Sequence, residues 1–375
     1  MIHTYSSTIR RKEMDAVLTC MVDERIGPGE LNARFIQQIK LFFGCDGAVA
    51  LRSPQSALKL ALKSIGFENT GSIMISALAP AWHYQAVEDL GYTPLVLDVD
   101  ENTGLVDAEI VRRGINHGGR LLLLHETMGI LPDMEAIMSL GIPVVEDISR
   151  SAGALVPSAD EKGDVAAPRK AGSFGIYSIL CLEEHDVITA GGGAVLIAPA
   201  RREWIVLKKL VDEIASVELL PDINCALGWV QLKEFPRNEI IRKELFSMYK
   251  RACMSGKHKL FSRANNAGEL PPADGQKDDD SQKAQGAELD YASTMSSFPL
   301  VLTSAFKDVK QYAAKKDIEI VPAYEDSVIA LRQEMLADSC IRAKSLFLRC
   351  ALFPLYPRLS HASVAKIVKV LGTLP

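Results

Sequence analysis

Arg120-Leu121-Leu122-Leu123-Leu124, a helical pattern over 134–140, and then Pro143-Val144-Val145-Glu146-Asp147 decide the architecture. Both apolar runs are short, unbroken and closed by a polar residue. A sheet with one wet face would alternate apolar and polar positions. A continuous run marks a strand covered on both faces, as in a parallel sheet between helical layers. Toward the N-terminus the alternation repeats, with strands over 48–51, 72–75 and 94–97 and helices over 56–65, 84–90 and 107–116. Before them lie amphipathic stretches at 12–23 and 31–43, parted by the turn Gly27-Pro28-Gly29. Toward the C-terminus, apolar segments at 175–182 and 193–197 flank Gly191-Gly192-Gly193, and helices follow over 202–214 and 226–254.

These elements predict a three-layer α/β domain with a mostly parallel sheet over residues 1–235. A small α+β domain over 236–375 follows, with strands and helices at 298–303, 304–315, 318–321 and 363–370. Within the small domain, 262–291 holds Pro271-Pro272, Asp278-Asp279-Asp280 and few apolar residues, the composition of a surface insertion.

The chain has 375 residues, 48% hydrophobic and 24% charged, and a net charge of −5. No basic stripe invites nucleic acid. No apolar run reaches the roughly 18–20 residues a membrane span needs. The seven cysteines are widely spaced with no CxxC pair, which argues against a disulfide framework or a zinc site, so none of the chain is assigned to metal. A cytoplasmic location is the expectation.

Several segments, taken in order, resemble the DegT/DnrJ/StrS group of nucleotide-sugar aminotransferases, which are pyridoxal-phosphate (PLP) enzymes of fold type I. Gly27-Pro28-Gly29 resembles the loop before that group's first long helix. Leu51 to Leu58 is similar to its Ser-Gly-Thr-x-Ala-Leu phosphate turn, and Pro80-Ala81-Trp82-His83-Tyr84 to a Pro-x-x-Thr-aromatic segment. The run Gly91 to Asp100, His125-Glu126-Thr127-Met128-Gly129 with Asp133-Met134, Pro143 to Ala154, and Leu352 to Ser360 each resemble a further motif.

The resemblance implies roles residue by residue. Asp147 would pair with the pyridine nitrogen, keeping it protonated so that the ring accepts electrons; the plainer alternative is a strand-end Asp capping a helix. Tyr84 would stack on the ring, with Trp82 the neighbour if the register slips; core packing is the alternative. Ser178 and Ser53 would meet the phosphate, Ser53 at a helix N-terminus. Gln55 stands where the group has threonine, and Pro54 where it has glycine. Arg150 stands where it has His or Gln, and could pair with Asp147 or bind an anionic substrate group.

The group's Schiff-base lysine lies five residues after a serine and shortly before a glycine turn. Counting forward from Ser178 reaches Glu183; counting back eight from Gly193 reaches His185. Neither is an amine, and 181–188 holds no lysine. Ordinary transamination needs that amine as imine former and proton carrier. Three readings stay open. One is an aminotransferase with another arrangement, Lys170 being a displaced amine to check. Another resembles the group's 3-dehydratases, with non-covalent PLP or its amine form, pyridoxamine phosphate, and His185 as acid/base. The third is a non-catalytic binding or regulatory pseudo-enzyme. A homodimer and a sugar-nucleotide ligand are implied by the same resemblance, with helices at 31–43 and 226–235 as interface material.

Overall fold

The structure, a computed structural model, describes residues 1–67, 71–159, 165–254, 256–262 and 293–375. Apart from Ser262, the segment read as an insertion lies outside the described residues through Tyr291. The strands in chain order are β1 (Gly47–Leu51), β2 (Ser72–Ser76), β3 (Thr93–Leu97), β4 (Gly119–His125), β5 (Val144–Asp147), β6 (Leu155–Ala159), β7 (Val165–Lys170), β8 (Tyr177–Cys181), β9 (Ala194–Ala198), β10 (Phe298–Val301), β11 (Val321–Pro322) and β12 (Cys350–Phe353).

Seven of them form one sheet in the order β1-β9-β8-β5-β4-β2-β3. Only β9 runs against its neighbours; the pairs from β8 to β3 are parallel. The expectation of a mostly parallel, doubly covered sheet holds. Strands β1, β5, β8 and β9 are buried at every position, as their unbroken apolar runs require. β6 and β7 make a separate antiparallel hairpin, and β10-β12-β11 a small antiparallel sheet.

Eight helices accompany the large sheet: α1 (Arg11–Val22), α2 (Glu30–Phe43), α3 (Pro54–Ile65), α4 (Ala81–Asp89), α5 (Ala108–Asn116), α6 (Met134–Met138), α7 (Arg201–Val211) and α8 (Asp222–Cys253). The last runs straight through the 235/236 boundary drawn from sequence, with Pro236 inside it. It carries the chain from the large core to the second one, where Tyr249, Phe298 and Ile367 are buried. Around that second sheet and its junction lie α9 (Phe306–Ala314), α10 (Val328–Leu331), α11 (Gln333–Leu336), α12 (Ile341–Arg349) and α13 (His361–Leu371). No helix among the described residues is long and apolar enough to cross a membrane.

The topology sets the site. In a parallel pair the strands end together, and the β4–β5 register places His125 beside Asp147. β2, on the other side of β4, feeds α4 through Pro80. The carboxyl edge of the sheet thus gathers the ends of β5 and β4 and the start of α4, where open α/β sheets hold ligands.

Candidate functional site

Asp147 is fully buried, and each of its carboxylate oxygens meets two donors of the chain. Oδ2 is 2.8 Å from His83 Nε2 and 2.9 Å from His125 Nδ1. Oδ1 accepts from the Ser149 backbone N–H at 3.1 Å and from the Ser149 hydroxyl. That hydroxyl also accepts the Cys181 N–H at 2.9 Å, tying the cluster to β8. Burial alone would push the Asp147 carboxyl up; the bonds from His125 and His83 outweigh it and hold it well below the usual carboxylate range. His83 is pushed down, chiefly by burial, against the pull of Asp147. It sits in the first turn of α4, where the helix dipole also disfavours a cation. Its Nδ1 has no partner in the chain. A neutral imidazole donating from Nε2 satisfies all three observations.

A second carboxylate pair lies one position away. Glu146 accepts from the N–H groups of Gly172, Phe174 and Gly175, at 2.8, 2.8 and 2.5 Å. Glu126, bonded to Ser151, is pushed well up by burial and by the charge of Glu146. Burial pushes Glu146 up as well, against the three N–H groups it accepts.

The other residues singled out from sequence are placed elsewhere. Tyr84 turns from Asp147 by one helical step and lies under the Arg332 guanidinium, 4.7 Å from its ring centre. Trp82 packs edge-on against the His83 ring at 4.2 Å. Ser178 pairs with Glu146 in the β5–β8 register, and its hydroxyl donates to the Gly172 carbonyl at 3.2 Å. It therefore faces the 172–175 turn with Glu146, not Asp147. Ser53 caps α3 by accepting the Ser56 N–H at 3.1 Å. Ser56 in turn donates to the Glu218 carboxylate at 2.9 Å, and Gln55 reaches outward to Asp89 at 3.0 Å.

The 183–187 turn forms the rim. Arg150 does not pair with Asp147; it donates to the His185 carbonyl at 2.5 Å and lies 3.6 Å from Asp186. The His185 ring stacks on Tyr5 with centres 4.2 Å apart, and Glu183 is exposed. Lys170 is turned away, its ammonium donating to the Phe42 carbonyl and lying 4.8 Å from the Phe42 ring. Beside the rim is a cleft of about 590 Å³, open mouth included, lined by residues 4–8, 185–187, Gln231, Asn238, Arg242, Ser296, Ser297, Leu352, Phe353 and 355–357. Asn238 and Gln231 are buried there, and the buried Ser296 hydroxyl has no partner in the chain.

These residues do not fit PLP. The cofactor needs an amine, a carboxylate for its pyridine nitrogen, and donors for its phosphate. The turn after β8 carries no amine. An ionised carboxylate offers about four acceptor positions, and the four chain donors on Asp147 fill them. At the start of α3, Pro54 has no N–H, Ser53 takes that of Ser56, and the Glu218 carboxylate stands where an anion would.

His83 is the site residue that the sequence motifs alone do not single out. The signal was present: a histidine at the threonine position of Pro-x-x-Thr-aromatic. His125 lies within a motif for which the resemblance implies no role.

Comparison with known proteins gives the lineage. A curated relative, the UDP-4-amino-4,6-dideoxy-N-acetyl-beta-L-altrosamine transaminase of Campylobacter jejuni serotype O:23/36, is 28% identical over 270 residues, 66% of this chain and 68% of that one. Among solved structures, a sugar aminotransferase of Streptococcus pneumoniae in its PMP form superposes with a TM-score of 0.79 at 16% identity, covering 98% of this chain and 96% of that one. A GDP-4-keto-6-deoxymannose-3-dehydratase variant bound to GDP-perosamine gives 0.77 at 15%, covering 99% and 100%. At such identities the two structures attest the fold alone. The sequence profile of the family matches residues 7–372, and the chain belongs to the DegT/DnrJ/EryC1/StrS aminotransferase family.

Proposed function

We propose that this family member has left Schiff-base transamination and uses the inherited scaffold to bind a small polar ligand of the sugar-nucleotide class. The observation that carries the reading is the state of Asp147: buried, anionic, and fully engaged by His83, His125 and Ser149. A pyridine ring could reach it only by displacing a chain donor. The missing amine after β8 supports the same reading, because neither Glu183 nor His185 forms an imine.

The cleft beside Tyr5 and His185 supports the ligand class. Its buried lining combines the polar side chains of Thr4, Thr8, Gln231 and Asn238 with Leu352, Phe353 and Leu355, and Ser296 keeps a hydrogen-bonding group unspent. Such a lining suits the hydroxyls of a sugar, which lose water on binding and must be met donor for acceptor.

The test is direct. The purified chain is mixed with PLP or pyridoxamine phosphate, its absorbance spectrum recorded, and the PLP sample reduced with borohydride and weighed. The expected outcome is no spectral shift and no added mass. An adduct on a single lysine would overturn the reading. Tight binding of the amine form without an adduct would instead favour the 3-dehydratase route, with His185 at the cleft as acid/base.

A further inference from the structure

We propose that His83, His125 and Asp147 form a binding site for a divalent transition ion, zinc being the best match. The proposal rests on the reading that Asp147 no longer serves a cofactor ring. The three ligand atoms, His83 Nε2, His125 Nδ1 and Asp147 Oδ2, lie within 4.8 Å of one another, and all three residues are buried. They come from three separate elements, the start of α4 and the ends of β4 and β5, so the sheet edge itself holds them together.

The donor set selects the ion. Two imidazoles and one carboxylate suit zinc and its neighbours, whereas calcium and magnesium demand several oxygens. Both imidazoles lie 2.8–2.9 Å from Oδ2. Ligands about 2.0–2.1 Å from a tetrahedral ion stand roughly 3.3 Å apart. Admitting the ion thus asks each imidazole to open from Oδ2 by about half an ångström, while the two imidazole nitrogens, within 4.8 Å of each other, settle to a similar separation. Three protein ligands leave the fourth position open, the arrangement of ions that take up water or substrate.

The surroundings agree in sign. Ser149 grips Oδ1 with its N–H and hydroxyl, which orients the carboxylate and leaves Oδ2 for the ion. The carboxylates of Asp147, Asp186 and Glu183 lie near the neighbouring Cys181, with the Arg150 guanidinium 3.6 Å from Asp186 offsetting part of their charge. The protons balance without net release. Each imidazole gives up its hydrogen bond to Asp147, and the proton moves to the other ring nitrogen: Nδ1 of His83, which has no partner in the chain, and Nε2 of His125.

The test uses the full chain, freed of metal by a chelator. Zinc is titrated by calorimetry, and cobalt(II) is followed by its visible absorption. One equivalent of each should bind, with the strong d–d bands of a four-coordinate ion. His83→Thr, which installs the family's short side chain, and His125→Gln should each weaken zinc binding by about 100-fold or more. His361→Asn, exposed at the start of α13 and outside both the triad and the cleft, should leave zinc binding unchanged, while circular dichroism confirms that all variants fold. No stoichiometric binding by the unaltered chain, or equal binding by folded His83→Thr, would overturn the site. The two proposals fail separately: absent zinc binding without a PLP adduct removes the ion site and leaves the loss of transamination standing, whereas a lysine adduct removes that reading.

Discussion

Asp186 shows how burial sets the charge of a single residue at the rim of this site. Its side chain is 7% exposed, and burial pushes its carboxyl up to about 6 against the opposing pull of Arg150. The sign follows by linkage. The folded chain holds this proton more tightly than the unfolded chain, so the stability it contributes is full below about 4 and is lost as pH rises through about 6. Asp186→Asn keeps an acceptor for the Glu183 N–H and cannot titrate. Its unfolding free energy should fall less than that of the parent between pH 4 and 6, by up to about 1.4 kcal/mol per pH unit. Parallel curves from urea unfolding at several pH values would remove Asp186 from that window. At this scale sequence showed some things and hid others. Asp147 was legible because a carboxylate closing a buried strand stands out. His83 was not, because its meaning depends on Asp147, 64 residues away. Arg150 left two options in sequence, and the structure rules out the pairing with Asp147, since its partners sit in a turn whose course no local pattern describes.

Among the elements, α2 depends on a residue outside itself. Its first turn exposes backbone N–H groups that no helical carbonyl can reach. Asp222, at the start of α8, accepts three of them: Gly29 at 2.8 Å and Asn32 at 2.9 Å on one oxygen, Leu31 at 3.1 Å on the other. A Cβ on Gly29 would stand 3.0 Å from that carboxylate, which accounts for glycine at the end of Gly27-Pro28-Gly29. Asp222→Ala should cost about 2–4 kcal/mol, as three bonds to a buried charge are lost together. Asp222→Asn, with one acceptor left, should cost less. A loss within about 0.5 kcal/mol for the alanine, measured from the urea midpoint at unchanged slope, would refute the cap. The helices and strands of the large domain were largely readable, because each buried strand is a short apolar run between helical periods. The β6–β7 hairpin and α10 to α12 were missed. They are short or lie against the domain junction, where neither alternation nor helical periodicity has room to develop.

For the whole molecule, the question is which apolar surface remains once the chain has folded. Sequence pointed to α2 and 226–235 as interface material, since both carry apolar faces. In the fold those faces pack on each other: Phe35 and Ile39 of α2 are fully buried, as nearly is Phe235 of α8, and the Phe42 and Phe235 rings meet edge-on at 5.3 Å. Periodicity marks a face that will be covered, without telling whether the cover is the same chain or another. Leu41 keeps part of α2 exposed, and a longer apolar stripe lies uncovered on α1. Met14, Leu18, Met21 and Val22 are 51, 53, 55 and 80% exposed at helical spacing, while the opposite side of α1, with Glu13 and Cys20, packs on α8. Four large apolar side chains on one exposed stripe mark an association surface, and a symmetric dimer would bury the same stripe on both copies. We expect light scattering coupled to size exclusion to give twice the chain mass of 40.9 kDa, and Leu18→Asp, which places a charge at the centre of the stripe, to give the single-chain mass with unchanged circular dichroism. A monomeric parent, or a variant that remains dimeric, would show that α1 is not where two copies meet.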